Sequence, residues 1–294
     1  MEPFFSIVVV CLNPGEKLKK TLESIQKQTF RDYQVVVKDG GSDDGSIEAL
    51  AELWKKEEFY LLSCKDLGIY DAMNQALAIA EGKYVYYLNC GDLFYSEDVL
   101  ANVAEFIASF EKEDEKGEKL WGIYYGNILE RVTGQKVASN PYMDAFGCYR
   151  NVPCHQACFY SRELLRAHPF DTSYRVRADY EQFLWSYFAT NKEHKVRFAY
   201  QDLLIADYEG GGFSETRENR KISAMEHKKI TKMYMPKERI RFRVIMLLSL
   251  APLRKYLAES KATAGFYNRW KGLIYARKNR EQTKTAEREG AVIR

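Results

Sequence analysis

Through the first third of the chain, apolar positions fall into short runs divided by stretches of helical periodicity. Residues 4–11 (FFSIVVVC) are almost all apolar, the pattern of a parallel strand covered on both faces. Asn13-Pro14-Gly15 breaks the run, and Leu18, Leu22 and Ile25 then recur at helical spacing within 17–29. Residues 33–37 (YQVVV) predict a second strand. It ends in the turn 38–45 (KDGGSDDG), whose glycines permit a tight bend and whose Ser42, Asp43 and Asp44 can cap a helix over 47–54. A third strand is predicted over 59–63. After Asp66 and Gly68, a helix over 71–80 leads into a fourth apolar run, 83–88 (KYVYYL), which ends in Asn89-Cys90-Gly91-Asp92. Strands and helices alternating with short connections predict an α/β fold on a doubly wound, mostly parallel sheet.

In such a sheet, ligands bind beyond the carboxyl ends of the strands. Those ends carry Asn13, Asp39, Asp66 and Asp92. One polar residue there is an ordinary turn former; such residues on four successive strands favour a ligand-binding edge. Further on, 124–132 and 135–138 read as paired strands around Thr133-Gly134. Residues 153–160 (PCHQACFY) read as a strand with an internal His155-Gln156 step suited to phosphate contact. Asp179 opens a helix over 178–185. It is either a first-turn acid complementing the helix dipole or a general base at the mouth of a cleft. A strand ends at 205–208, and Gly210, Gly211 and Gly212 follow it. Three consecutive glycines are costly to order, so they predict a mobile loop whose backbone N–H groups can close over a diphosphate. A helix over 215–233 follows. The charged stretch 111–119 is assigned no function.

Length and charge divide the chain. Its 294 residues accommodate a domain over 1–216 and a helical extension over 217–294. The net charge of +3 conceals an acidic body, with 23 Lys and Arg against 34 Asp and Glu, and a basic extension with 21 against 7. A basic tail implies an anionic partner. Within it, the apolar segment following Arg239, Arg241 and Arg243 is too short to span a bilayer. It fits a helix lying in a membrane interface, or one packed on the body or on another subunit. Met1 leads into a strand without a secretory segment, and the six cysteines do not form a small disulfide scaffold, so a cytosolic protein with reduced thiols is expected. Cys148, Cys154, His155 and Cys158 lie close in sequence, but without the paired C-x2-C spacing of a structural zinc site.

Three stretches together resemble the family 2 glycosyltransferases of GT-A fold. Residues 6–13 (SIVVVCLN) are similar to the family's opening strand, and 37–46 (VKDGGSDDGS) to its V-[VI]-D-G-G-S-T-D-G-T step. Residues 66–74 (DLGIYDAMN) match a block of the branch resembling colanic acid and capsular polysaccharide transferases. The resemblance implies a Rossmann-like GT-A domain that binds a nucleotide sugar. Asn13, Asp39 and Asp66, with the backbone near Cys11, would contact the base and ribose. Asp92 would hold a divalent metal, Mg²⁺ or Mn²⁺, that bridges the two phosphates. Asn89 and Gly91 of the same turn would join the substrate contacts. His155, Gln156 and the loop carrying Gly211 and Gly212 would face the diphosphate, and Asp179 would be the catalytic base. The family's D-x-D-D is here Asn89-Cys90-Gly91-Asp92, with one carboxylate of three.

The activity implied is inverting transfer, with uridine the family's usual base, to a polyprenyl-diphosphate-linked glycan at the inner face of the cytoplasmic membrane. A nucleotide-sugar-binding protein without turnover is the alternative that the missing carboxylates raise. A nucleotidyltransferase would want a glycine-rich, basic loop after the first strand, which Asn13-Pro14-Gly15-Glu16 is not. No nucleic-acid motif accompanies the basic tail, so nucleic acid is not expected as a partner.

Overall fold

The computed structural model describes residues 2–53, 59–114, 120–189, 195–211 and 216–248, with a few isolated positions beyond. A nine-stranded sheet organises them. Strands β1 (Phe5–Cys11), β2 (Tyr33–Asp39), β3 (Tyr60–Ser63) and β4 (Tyr84–Tyr87) form a parallel half in the order β3-β2-β1-β4. Helices α1 (Glu16–Gln26), α2 (Ser46–Leu53) and α3 (Ile69–Ile79) make the connections. Because both faces of β1 are covered, Phe5, Ile7, Val8 and Val9 are all fully buried, as the unbroken apolar run required. Helix α1 buries the Leu18, Leu22 and Ile25 stripe. The Tyr86 ring lies between Phe159 and Phe94, with centroids 4.3 and 5.2 Å away. Each such side chain contributes roughly 1.5–3 kcal/mol of burial.

Beyond β4 the sheet changes character. β8 (Cys158–Ser161) runs antiparallel to both β4 and β6 (Trp121–Glu130), and β6 runs parallel to β9 (Val196–Tyr208). β7 (Gln135–Val137) returns from β6 as a hairpin, and the two-residue β5 (Leu93–Phe94) pairs antiparallel with the end of β9. The α/β class expected from the sequence is present: the parallel pairings are the longer ones, and the half beyond β4 is mixed. The chain reaches β8 through the short helix α5 (Ala145–Arg150) and a single 3₁₀ turn, His155–Ala157, and β8 runs opposite to both of its neighbours. Helices α4 (Val99–Asp114), α6 (Arg162–Ala167), α7 (Ala178–Phe188) and α8 (Arg217–Tyr234) complete this part.

The chain divides into compact units Met1–Tyr234 and Met235–Arg294. The boundary therefore lies after α8 and not at 216/217. Basic composition assigned α8 to the tail, whereas its Glu226 and His227 bond to the backbone at Val176 and Tyr149 in the first unit. In the second unit, α9 (Glu238–Leu248) exposes Ile240, Val244, Ile245, Leu247 and Leu248 alongside Arg241 and Arg243. Among the described residues, no helix is long and apolar enough to cross a membrane.

Candidate active site

A cleft of about 1110 Å³ opens at the carboxyl ends of β1 and β4. That is slightly above the ~300–1,000 Å³ usual for small-molecule sites. Cys11, Asn13, Asp66, Asn89, Asp92, His155, Gln156 and Asp179 all line it. Eight positions singled out in the sequence are thus brought to one cavity.

The wall near β1 and β2 is built around a sealed carboxylate. Asp39 accepts the Ser42 and Ser63 hydroxyls, at 2.5 and 2.6 Å, and the N–H groups of Gly41 and Ser42. Burial pushes its pKa up, but these donors outweigh burial and hold it below the ordinary carboxylate range. Asp39 is 1% exposed and is not among the residues lining the cleft. Its visible work is to shape the turn: the Ser42 hydroxyl also accepts the Asn13 N–H, and Asn13 Oδ1 accepts the Asp43 N–H. Asn13 takes φ of 48° to do so, a left-handed geometry that asparagine tolerates.

Asp66 is held by a lysine that is fully buried. Lys38 Nζ lies 2.7 Å from the carbonyl oxygens of Asp39 and Cys64 and 3.0 Å from Asp66 Oδ2. Sequence reading passed over Lys38; the signal was a charged residue inside the otherwise apolar run of β2. Burial raises the Cys11 thiol far above its usual pKa, so this side chain is a neutral wall and not a nucleophile.

At the end of β4, Asp92 Oδ1 accepts the Glu209 N–H at 2.9 Å and Oδ2 accepts the Gln156 amide at 3.3 Å. Burial pushes the Asp92 pKa from 3.8 up to about 6 against those donors. Glu209 folds over Gly91 and pairs with Lys17 at 2.8 Å, on the same cleft. Gly91 itself is a backbone hinge beneath that carboxylate. A Cβ there would come within 2.5 Å of Glu209 Oε2, and its φ is +102°. Gly210 lines the cleft, Gly211 does not, and Gly212 lies outside the described residues.

Asp179 stands in the first turn of α7, between two partners. Tyr70 Oη lies 3.0 Å from Asp179 Oδ1 and 2.8 Å from the Val176 carbonyl; His155 Nδ1 lies 3.3 Å from Asp179 Oδ2. Asn89 Nδ2 lies 2.9 Å from His155 Nε2, and an amide donating there leaves the ring proton on Nδ1, aimed at Asp179. Burial pushes the Asp179 carboxyl up, but the hydrogen bonds from His155, Tyr70 and the Tyr180 N–H hold it below its usual range. It is therefore ionised at neutral pH and able to accept a proton. Consecutive residues of one 3₁₀ turn, His155 and Gln156, thus reach both Asp179 and Asp92. Tyr70 belonged to the quoted D-L-G-I-Y block, yet nothing in the sequence said that its hydroxyl would meet a residue 109 positions away.

Among the described residues, no three His, Cys, Asp or Glu side chains gather as a metal cage. The Cys158 thiol bonds to the Cys154 carbonyl and His155 turns to Asp179, so the cysteine cluster is not arranged as a zinc site. Asp92 retains lone pairs beyond its two hydrogen bonds, and Asn89 Oδ1 is buried without a hydrogen-bond partner. One carboxylate and one unpaired amide oxygen fit a hard cation that draws its remaining ligands from phosphates and water.

Comparison with known proteins places the chain in a family and a fold. The model of Glycosyl transferase family 2 matches residues 6–166. A PGL/p-HBAD biosynthesis glycosyltransferase of Mycobacterium tuberculosis is 33% identical over 219 residues, covering 73% of this chain and 80% of that protein. Amylovoran biosynthesis glycosyltransferase AmsB of Erwinia amylovora is 24% identical over 194 residues, 60% of this chain and 62% of that one. Among solved structures, S. aureus TarS 1–349 in complex with UDP-GlcNAc superposes with a TM-score of 0.60 at 17% identity, covering 88% of this chain and 74% of that one. Mannosyltransferase PcManGT from Pyrobaculum calidifontis, in complex with GDP-Man and Mn²⁺, gives 0.57 at 18% identity, covering 97% and 84%. The fold is GT-A, and by sequence the chain belongs to glycosyl transferase family 2.

Proposed function

We propose that this glycosyltransferase moves a hexosyl or N-acetylhexosaminyl group, with inversion, from a uridine diphosphate sugar to a hydroxyl of a polyprenyl-diphosphate-linked glycan in surface polysaccharide synthesis. The observation that carries the reading is that Asp92 and Asp179 face one cleft and are bridged by His155-Gln156. Their surroundings push the two carboxyl groups in opposite directions, one above and one below the usual range. Groups pushed apart in this way mark separate roles.

The base of the donor is placed against Asn13 and Asp66, which Ser42 and Lys38 hold in position. A divalent cation, Mg²⁺ or Mn²⁺, held by Asp92 and the Asn89 amide oxygen, supplies neutralising charge for a diphosphate. Asp179 takes the proton of the acceptor hydroxyl as that oxygen bonds to the anomeric carbon. The bond from this carbon to the phosphate oxygen breaks, and its electron pair leaves with the nucleoside diphosphate. Tyr70 and His155 keep Asp179 oriented, and Lys17 lies on the leaving-group side of the cleft. One protein base and a single displacement give inversion. The choice of uridine follows the TarS complex, and the glycan acceptor follows the name of the amylovoran relative.

The exposed apolar face of α9 and its Arg241 and Arg243 favour a peripheral position on an anionic leaflet, at the cytoplasmic side. The test of the activity is a panel of UDP-, GDP- and dTDP-sugars with Mg²⁺ or Mn²⁺ and an extracted lipid-diphosphate sugar. Turnover of a UDP-sugar that disappears in Asp179→Asn is expected; donor binding with no turnover on any acceptor would favour a binding protein. Flotation with phosphatidylglycerol vesicles, lost on Ile240→Glu and Leu247→Glu substitution, tests the membrane contact separately.

A further inference from the structure

Helix α7 begins without a cap of its own. Its N-cap residue, Arg177, offers no side-chain acceptor to the helix. The three amides just before it are held from α8. Glu226 Oε1 takes the Arg175 N–H at 2.7 Å, and Oε2 takes the N–H groups of Val176 and Arg177 at 3.0 and 2.9 Å. Three consecutive backbone N–H groups converging on one carboxylate form a concave anion site, here filled by the protein's own side chain. Bonds to an ionised acceptor are roughly twice as strong as neutral ones, so this is a firm attachment.

The attachment is reinforced on the same helix. Arg177 Nε donates to the Ser223 hydroxyl at 2.7 Å, and Arg175 Nη1 lies 3.1 Å from Glu218. From the opposite side, Tyr70 Oη reaches both the Val176 carbonyl and Asp179. One residue, Ala178, separates Arg177 from Asp179, and Thr172, Tyr174, Arg175 and Val176 line the cleft beside it. The segment 175–177 is therefore gripped between α8 and α3 immediately before the proposed base.

We infer that Glu226 is a positioning residue. It fixes Asp179 against the acceptor hydroxyl by holding the three amides that lead into α7, and with them the cleft wall beside the base. Glu226 touches neither Asp92 nor the donor-side turn, so its effect falls on the acceptor side and on the rate. This inference rests on the reading of Asp179 as base.

The experiment compares wild type with Glu226→Ala, Glu226→Gln, Glu226→Asp and Asp179→Asn in the full chain. UDP affinity is measured by calorimetry, amide exchange by mass spectrometry, and transfer with the donor and acceptor found by the panel. A displacement of about 1 Å costs on the order of a hundredfold in rate. Glu226→Ala is expected to lower kcat about a hundredfold, with donor KM and UDP affinity within threefold of wild type. Exchange over 172–180 should quicken at least tenfold while peptides over 5–11 and 33–39 keep their protection. Glu226→Gln, which keeps one acceptor oxygen, should fall between, and Glu226→Asp should recover about tenfold of the lost rate. Wild-type kcat in Glu226→Ala, or unchanged exchange over 172–180, overturns the inference. Equal losses in kcat and in protection across 5–11 and 33–39 in both Ala and Gln variants would make the role one of general stability, which also overturns it. Full activity in Asp179→Asn would instead overturn the base reading, whatever Glu226 does.

Discussion

Replacing Lys38 by Met tests how the donor wall is built. Lys38 has no exposed surface, and its ammonium serves three acceptors: two carbonyl oxygens at 2.7 Å and Asp66 Oδ2 at 3.0 Å. Met fills the same channel with an apolar chain, so little packing is lost. What remains is a carboxylate without its cation and two carbonyl groups without a donor. Breaking a buried pair from one side costs about 3–5 kcal/mol. Asp66 is 13% exposed and can recruit some water, so the low end, about 3 kcal/mol, is expected. For a unit of this length, that is a fall in Tm of about 6–12 °C. Urea unfolding should show a lower midpoint with an unchanged slope. Adding Asp66→Asn removes the stranded charge and should return ~1–2 kcal/mol in a double-mutant cycle. UDP affinity should weaken about tenfold in Lys38→Met, as the Asp66 carboxylate leaves its place against Gly40, where a Cβ would lie 2.8 Å from Oδ2. The reasoning is refuted if Lys38→Met lies within ~1 kcal/mol of wild type, or if the double variant is no more stable than the single one.

Asp179→Asn should lower kcat by about 10²–10⁴ while leaving UDP affinity near wild type, measured by transfer kinetics and calorimetry. Asp92→Asn should stabilise the metal-free protein. Its folded pKa of about 6 lies above the ordinary 3.8, so ionisation costs stability that is absent below about pH 4 and complete above about pH 6. The gain at pH 7.5 with chelator is at most ~3 kcal/mol and should shrink as pH falls toward 4. Thermal melts with an equal difference at pH 4.5 and 7.5 would refute it. Gly91→Ala forces a Cβ against Glu209 Oε2 at a φ of +102°, so ~1–3 kcal/mol of stability should be lost. The same substitution should speed exchange at the Glu209 amide, and a Tm within a degree of wild type would count against it.

The parallel half was legible because β1, β2 and β4 are buried on both faces, while its edge strand β3 is largely exposed. The runs at β1, β2 and β4 leave no polar residue to blur the pattern except Ser6, Gln34, Lys38 and Asp39, which are also buried. The other half was not. β9 alternates poorly, with Arg197, Gln201 and Asp202 set among half-buried positions and register shifts where it meets β6 beyond Tyr125, so only its last residues read as a strand. β5, two residues long, has no periodicity to detect. In the site, Asn13, Asp39, Asp66 and Asp92 were singled out because polar residues at strand ends carry a positional meaning, His155-Gln156 as a polar step inside an apolar run, and Asp179 as the acid that opens a helix. In the fold, the Asp39 carboxylate takes five hydrogen bonds from Gly41, Ser42 and Ser63 and shapes its own turn. Tyr70 and Glu226 act across 109 and about fifty positions of sequence, a separation that only the folded chain closes.

The two walls of the cleft are also separate in the gene. Asn13, Asp66, Asn89, Asp92, His155 and Gln156 all fall within residues 6–166, the span shared with the family, whereas Thr172, Tyr174, Asp179 and the α8 grip on 175–177 come after it. A lineage changing its acceptor can therefore recombine one contiguous cassette, and Glu226 would travel with the amides it holds. The donor half would meet new partners at Tyr70 and His155, which reach across to Asp179, and at Lys17 and Asp92, which bond to Glu209. Substitution at those four positions is where such an exchange would be expected to leave its scar.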